Sequence, residues 1–413
     1  MQVNLSSFST NKMISLFFRL SAMGSKFVMF TFLSKYFDEP TYGTYTLLAT
    51  MVTVAIFLLG FDFYNYLIRD ILVTKNEIAS KIYSSFVLYI FVYVFFSIVG
   101  YLVFKKIDYF SQYAGLLLII CITEHLNQEI YRLLIAFKKV YLANWYLFFR
   151  VAGWTIWVLF QIIYLNQNPS LNEILLTWAL FNFITLIFVF LKFFKTIKTQ
   201  IFLIKVNKKW LLKGIKISLV FYLATIALKI VEYSNRFIVE DVLDTVSAGI
   251  FSFYSNFSMI TGIYVSTIVV SYELPDLIES STSENFKTKL MRFKKLLWQH
   301  SFIATLSVLL IIYPVLLWQG KSTFISYWPL ILLLSLGMFF MNISLIYHSY
   351  LYIWHREMRL LKIVLWCSVV NVVLTYLLSF YLGLYGAGFA FLITAILMFI
   401  LRKTSISKKE IEI

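Results

Sequence analysis

The chain is poor in the residues that punctuate soluble proteins. It has 5 prolines and 14 glycines in 413 residues, which excludes a loop-rich or low-complexity chain. Its 2 cysteines, Cys121 and Cys367, both lie inside apolar runs. They exclude a disulfide framework, show no metal-ligand spacing, and are expected as buried thiols. The 4 histidines include His300, His348 and His355 near predicted helix ends, again without ligand spacing. Charge is scarce at 14% of residues, against about 25% in soluble domains. What charge there is runs one way, with 36 Lys and Arg against 20 Asp and Glu and a net charge of +16.

Apolar side chains fill the space left by these absences. Hydrophobic residues make up 61% of the chain, and the mean hydropathy is +0.82. A soluble fold of this length could not hide that much apolar surface, so lipid must cover part of it. The 42 Phe and 28 Tyr fit lipid-facing surface and interfacial belts. An apolar run from Met13 to about Leu33 is too long for the core of a cleavable signal and reads as the first span.

A bilayer core of about 30 Å requires around 20 apolar residues per helix. That ruler predicts spans at 13–36, 44–68, 82–104, 112–136, 142–165, 173–194, 214–238, 246–271, 298–318, 326–352, 362–382 and 385–402. The fourth and fifth are interrupted by Glu124, Glu129, Arg132, Lys138 and Lys139. Basic residues collect in alternate connections. One set holds Arg69, Lys75 and Lys81; Arg132, Lys138 and Lys139; Lys192 to Lys216; Lys287 to Lys295; Arg356, Arg359 and Lys362; and the tail with Arg402, Lys403, Lys408 and Lys409. The other set holds only Lys35, Lys105, Lys106 and Lys321, with Arg236 near one end. The bias predicts cytoplasmic N- and C-termini and an even number of spans. It makes the positive charge a topology signal with a secondary role toward anionic lipid, rather than a nucleic-acid footprint.

The halves repeat. Asp38 and Gly43 at the first helical junction match Asp244 and Gly249 at the seventh, both 206 residues on. The expected fold is therefore all-α and integral to the membrane, with about twelve transmembrane helices in two six-helix lobes, residues 1–205 and 206–413. Two such lobes, related by an axis along the membrane normal, are a transporter architecture.

Three segments carry a family resemblance. Glu232-Tyr-Ser-Asn235-Arg236, followed by an apolar stretch to Gly249-Ile-Phe, looks like the span 7/8 segment of polysaccharide exporters. There an Asp-Arg pair precedes a Gly-x-Tyr helix start; here Asn235 stands where the Asp is common, and Ile-Phe for the usual Tyr. Phe37-Asp38 with Tyr42-Gly43-Thr-Tyr is similar to the first-lobe version, and Asn371 through Gly386-Ala387-Gly388 resembles the span 11/12 turn. Together they resemble the Wzx-type O-antigen and capsule repeat-unit flippases of the multidrug/oligosaccharidyl-lipid/polysaccharide exporter (MOP) superfamily, in which the MATE transporters share the fold. The resemblance implies a bacterial inner-membrane carrier that is not an enzyme. It implies an undecaprenyl-diphosphate-linked oligosaccharide as substrate, and a polysaccharide polymerase and chain-length proteins as partners. Two other readings within the superfamily are a drug or cation antiporter and a peptidoglycan-precursor flippase. A membrane polymerase or acyltransferase is disfavoured, because no sizeable outer loop and no His-Asp pair at acyltransferase spacing is present.

Ionisable groups at bilayer depth cost about 2.5–3.5 kcal/mol on insertion scales, so those retained point to a wet cavity. The candidates for a cationic substrate site are Arg19 and Lys26 in the first span, Arg150 in the fifth, and Lys229 and Arg236 in the seventh. Arg19 and Lys26 are seven residues apart and share a helix face, as do Lys229, Glu232 and Arg236. Lys and Arg can offset the desolvation of a diphosphate. Glu124, Glu232 and Asp62 are candidates for coupling to an H⁺ or Na⁺ gradient; no cofactor or metal is expected. Blander readings stand beside these. Arg19 and Arg236 can snorkel to an interface, Lys229 and Glu232 can neutralise each other, and Glu124 can pair with Arg150.

Overall fold

A computed structural model describes residues 5–74, 76–197, 206–281 and 283–406. Lys75, Lys408 and Lys409, the middle of the basic 192–216 connection and the residue at the 205 boundary lie outside the described residues. Among the described residues the structure is helical without strands. That is the expected consequence of placing backbone in hydrocarbon, where each N–H and C=O must find its partner within its own segment.

Among the described residues, twelve long helices stand where the sequence predicts twelve spans. They are α1 (Leu5–Tyr36), α2 (Glu39–Gly60), α4 (Ile78–Lys106), α6 (Ala114–Ala136), α7 (Val140–Ile163), α8 (Leu171–Ile197), α9 (Lys208–Val242), α10 (Thr245–Val265), α12 (Phe286–Gln319), α14 (Leu330–Ile353), α15 (Glu357–Leu382) and α16 (Leu384–Thr404). Four short helices intervene: α3 (Phe63–Thr74), α5 (Asp108–Ser111), α11 (Ser271–Glu279) and α13 (Ser322–Ser326). A π-helical turn, Ser266–Val270, joins α10 to α11. Among the described residues, ten helices are long and apolar enough to cross a membrane. The other two long ones, α1 and α6, are those with Arg19 and Lys26, and with Glu124, Glu129 and Arg132.

Several boundaries differ from the ruler's. The 44–68 span is two helices, broken at Phe61 and Asp62, whose φ values of 49° and 48° lie in the left-handed region. Asp62 therefore sits at a corner and not inside a helix. The span expected at 298–318 begins at Phe286, because its basic first turns continue the helix beyond the apolar stretch.

By packing the chain forms two compact units. One comprises Met1–Leu33 and Leu48–Tyr222, the other Ser34–Leu47 and Leu223–Ile413. In the first, Phe63, Leu67 and Ile71 of α3 bury their face against Tyr89 of α4 and Trp210 of α9. A polar clamp closes this cluster. Asp70 accepts a hydrogen bond from Trp210 Nε1 at 3.0 Å and pairs with Lys81 at 2.6 Å, while Lys81 also donates to Thr74 Oγ1 at 2.7 Å. Lys81, assigned by the sequence to a connection, is thus buried in the first turn of α4.

In the second unit the meaning of the sequence repeat becomes visible. Asp244 caps α10 by accepting from Ser247 N at 2.6 Å. Asp38, immediately before α2, accepts from Thr41 N at 3.4 Å. The two aspartates hold equivalent N-cap positions. The matched glycines meet: a Cβ on Gly249 would lie 2.9 Å from Gly43 Cα, and one on Gly43 would collide with the Thr245 carbonyl. Ser34 to Leu47 is fastened further by Lys35 Nζ donating to Trp318 O at 2.8 Å, Gln319 Nε2 to Ser34 O at 3.2 Å, Lys321 to Phe37 O and Thr323 to Glu39. Arg402, read as part of the tail, is buried within α16 and donates to Ser344 Oγ at 2.7 Å.

Two outcomes follow from this packing. Gly43→Ala should lower the thermal unfolding midpoint of detergent-solubilised protein by the ~1–3 kcal/mol of an overpacked contact. Gly24→Ala and Gly115→Ala, where nothing lies within 4 Å, should not lower it. Burial pushes the Asp70 carboxyl up, but hydrogen bonds from Lys81 and Trp210 and the charges of Lys81 and Lys213 hold it below its ordinary value. Its folded value being depressed, its contribution to stability is complete above the unfolded carboxylate value of about 4 and is lost as pH falls through the lower folded one. Asp70→Asn should destabilise the protein at neutral pH and flatten the loss of stability on acidification, both measured by thermal melts across pH.

Candidate functional site

Helix α6 places polar groups on two adjoining faces. Glu124, Gln128 and Arg132 recur at i, i+4 and i+8; His125 and Glu129 form the neighbouring row. Beside the first face, Arg150 and Trp154 of α7 follow the same i, i+4 rule, and Trp178 comes from α8. With Lys26 of α1 and Thr53, Ile56 and Phe57 of α2, these residues line a cavity of about 240 Å³.

The cavity is cationic. Lys26, Arg132 and Arg150 face one lining carboxylate, Glu124. Glu124 is itself committed: Trp178 Nε1 donates to its Oε1 at 2.6 Å, and Arg150 Nε lies 3.7 Å from its Oε2. Arg150 is 4% exposed, and its Nη2 donates to Gln128 Oε1 at 3.0 Å. Its Nε and Nη1 have no hydrogen-bond partner among the described residues. A buried guanidinium with donors unused is costly unless a ligand or water completes it. One wall is aromatic, Trp154 and Trp178 stacking at 5.1 Å between centroids and 12° between planes. The volume falls below the ~300–1,000 Å³ of drug-sized sites, which suits a small polar head group.

Behind Arg132 lies a second polar cluster. Arg132 pairs with Glu129, and its guanidinium lies 3.6 Å from the Tyr64 ring centroid. Tyr89 donates to Glu129 Oε2 at 2.7 Å, Tyr93 Oη lies 2.7 Å from His125 Nδ1, and His125 Nε2 is 3.7 Å from Glu129 Oε1. A neutral seam continues along α6: Asn127 donates to Thr123 O at 2.8 Å and receives bonds from Tyr146 and from Thr185 Oγ1, the latter at 3.1 Å.

Of the residues singled out from sequence, Lys26, Arg150 and Glu124 come together in this cavity. Arg19 is exposed on α1. Asp62 occupies the α2–α3 corner. In the other unit Lys229 pairs with Glu232 at 2.6 Å. Arg236 is buried at 3% exposure and donates to Asn256 Oδ1 at 2.7 Å and, at 3.4 Å, to Ser255 Oγ. Next to it Asn235 Oδ1 accepts from Asn371 at 2.5 Å and Thr375 at 3.1 Å, a neutral set joining α9 to α15. Sequence reasoning missed Gln128, Trp154 and Trp178, and took Arg132 as a loop charge. The i, i+4, i+8 spacing from Glu124 was the available signal. Among the described residues no group of three or more His, Cys, Asp or Glu side chains is placed to hold a metal ion.

No protein-family model matches the sequence, and no curated protein matches it either. Solved structures do. The lipid II flippase MurJ in an inward closed conformation aligns with a TM-score of 0.70 at 15% identity, over 98% of this chain and 89% of that one. An inward-facing MATE-family multidrug resistance transporter of the MOP superfamily aligns at 0.67 and 12%, over 96% and 94%. The Vibrio cholerae MATE transporter VcmN aligns at 0.65 and 13%, over 96% and 95%. The chain has the MATE/MurJ fold. At these identities the likeness is one of architecture, so what this MATE/MurJ-fold chain does must be argued from its own cavity.

Trp178→Phe keeps the stacked ring and removes the donor to Glu124. It should cost roughly 1–3 kcal/mol of stability, the penalty for a buried acceptor left short of its partner. Trp157→Phe, at a ring 46% exposed, should be near neutral in the same thermal melts.

Proposed function

We propose that the protein is a flippase that moves an undecaprenyl-diphosphate-linked oligosaccharide repeat unit across the bacterial inner membrane, for O-antigen, capsule or exopolysaccharide synthesis. The observation that carries this reading is the buried Arg150, with two donors unused, in a cavity shared with Lys26 and Arg132. A diphosphate offers several acceptors to such donors, and charge-assisted bonds to guanidinium are among the strongest available to a protein. The stacked tryptophans give a sugar an apolar platform beside the charged end.

The MATE/MurJ fold supports a carrier working by alternating access, in which the same site opens to one side and then the other. MurJ, of the same fold, is itself a lipid II flippase. In this reading both termini are cytoplasmic. The lipid tail stays in the bilayer while the head group passes, and a polymerase with its chain-length proteins takes the unit on the far side. A drug or cation antiporter of the same fold is the second reading. The cavity's single carboxylate favours it, but three cations lining the same space weigh against a cationic cargo.

The test is complementation of a deletion strain. Lys26→Ala and Arg150→Gln, at wild-type protein levels, should each reduce surface polysaccharide about 10–100-fold, the equivalent of one charge-assisted hydrogen bond. Lipid-linked repeat units should accumulate in the cytoplasmic leaflet. Full complementation by both variants would exclude the cavity as the substrate site.

A further inference from the structure

Arg132 belongs to two sites at once. It lines the cationic cavity, and it is the guanidinium partner of Glu129 in the cluster behind. Its place on α6 explains this: it lies between the face of Glu124 and Gln128 and the row of His125 and Glu129. Glu129 is 2% exposed and His125 is fully buried. Arg132 and the Tyr89 hydroxyl are the groups that meet the Glu129 carboxyl. His125 Nε2 has no hydrogen-bond partner among the described residues and faces Glu129 Oε1 at 3.7 Å. Gly60 closes that side of the ring, since a Cβ there would lie 3.0 Å from Nε2.

We propose that anion binding in the cavity is coupled to uptake of one proton by the Glu129–His125 pair, with Arg132 as the shared partner. The proposal rests on the reading of the cavity as a phosphate site. When an anion engages Arg132, Glu129 loses the cation that balances it. An uncompensated carboxylate at this burial costs several kcal/mol. A proton from solvent, shared between the Glu129 carboxyl and His125 Nε2, removes that charge. Charge balances: the anion takes over Arg132, and the proton replaces Arg132 at Glu129.

Among the described residues, the other groups set against the pair are an acid and phenols rather than a second cation. Asp62 and Tyr64 come from the α2–α3 corner, Tyr89 and Tyr93 from α4, and Tyr222 of α9 lies beside Asp62. Glu124, on the cavity face of the same helix, accepts from Trp178 Nε1 at 2.6 Å and lies 3.7 Å from Arg150 Nε. The pair would couple the carrier to a proton gradient without touching the cargo, which distinguishes it from a carboxylate in the cavity wall.

The experiment is calorimetric titration of the full-length purified protein with symmetrical dimethyl diphosphate, which has no proton of its own to exchange near neutral pH. Repeating it in buffers of different ionisation heat counts the protons taken up. Wild-type protein should bind with uptake approaching one proton. Its affinity should rise as pH falls, by up to about tenfold per pH unit where the pair titrates. Glu129→Gln should bind with no uptake and a flat pH profile. If Glu129→Gln does not fold, the wild-type proton count and slope decide alone. Binding without uptake by the wild type, or uptake that persists in Glu129→Gln, overturns the coupling and leaves the phosphate site standing. Absence of binding, or binding indifferent to Arg150→Gln, overturns the phosphate site and the coupling with it.

Discussion

A charge carried away from water must be met by another group, and the first compact unit is arranged around that requirement. Glu124 is met by Trp178 and Arg150, Glu129 by Tyr89 and Arg132, and Asp70 by Lys81 and Trp210. Each acid is held by at least one cation and at least one neutral donor. The division matters, because a neutral donor steadies a carboxylate without cancelling its charge, and the cation remains available to a competing anion. Lys26 and Arg150 then bring the excess positive charge to one cavity instead of spreading it along the helices.

The buried polar groups described in the second unit are met differently. There Lys229 and Glu232 neutralise each other within one helix turn, and the Asn235, Asn371 and Thr375 set is uncharged. Arg236 is buried on the neutral acceptors Asn256 and Ser255. The two halves repeat in their caps and glycines but differ in what they do with charge. That contrast places the cationic cavity of the proposal in α1, α2, α6, α7 and α8.

Much of the architecture was legible in sequence because hydrocarbon permits few alternatives. Apolar runs near 20 residues had to become helices, and all twelve predicted spans have one. The Asp38/Asp244 and Gly43/Gly249 matches were legible because capping and close backbone approach each admit few residue types. The break at Phe61–Asp62 was not, since Gly60 is a single glycine inside an apolar run and the left-handed residues are the two that follow it, neither of them glycine. The cavity was half legible. Lys26, Arg150 and Glu124 stood out as charges in apolar surroundings. Arg132 was absorbed into a loop because Lys138 and Lys139 follow it closely, although its spacing from Glu124 and Gln128 put it on their helix face. Trp154 and Trp178 carry no charge and looked like any other span residue. Only the packing of α7 on α8 stacks them.

That stacked pair also gives the protein an optical property. Two indoles 5.1 Å apart and nearly parallel couple their excited states, and one of them donates to a carboxylate whose other partner is the cavity's arginine. Of ten tryptophans in the chain, this pair forms part of the cavity wall. The exciton couplet of its strong far-ultraviolet indole transition will therefore be sensitive to the field at Glu124. An occupied and an empty cavity can then be distinguished by light alone, without a label.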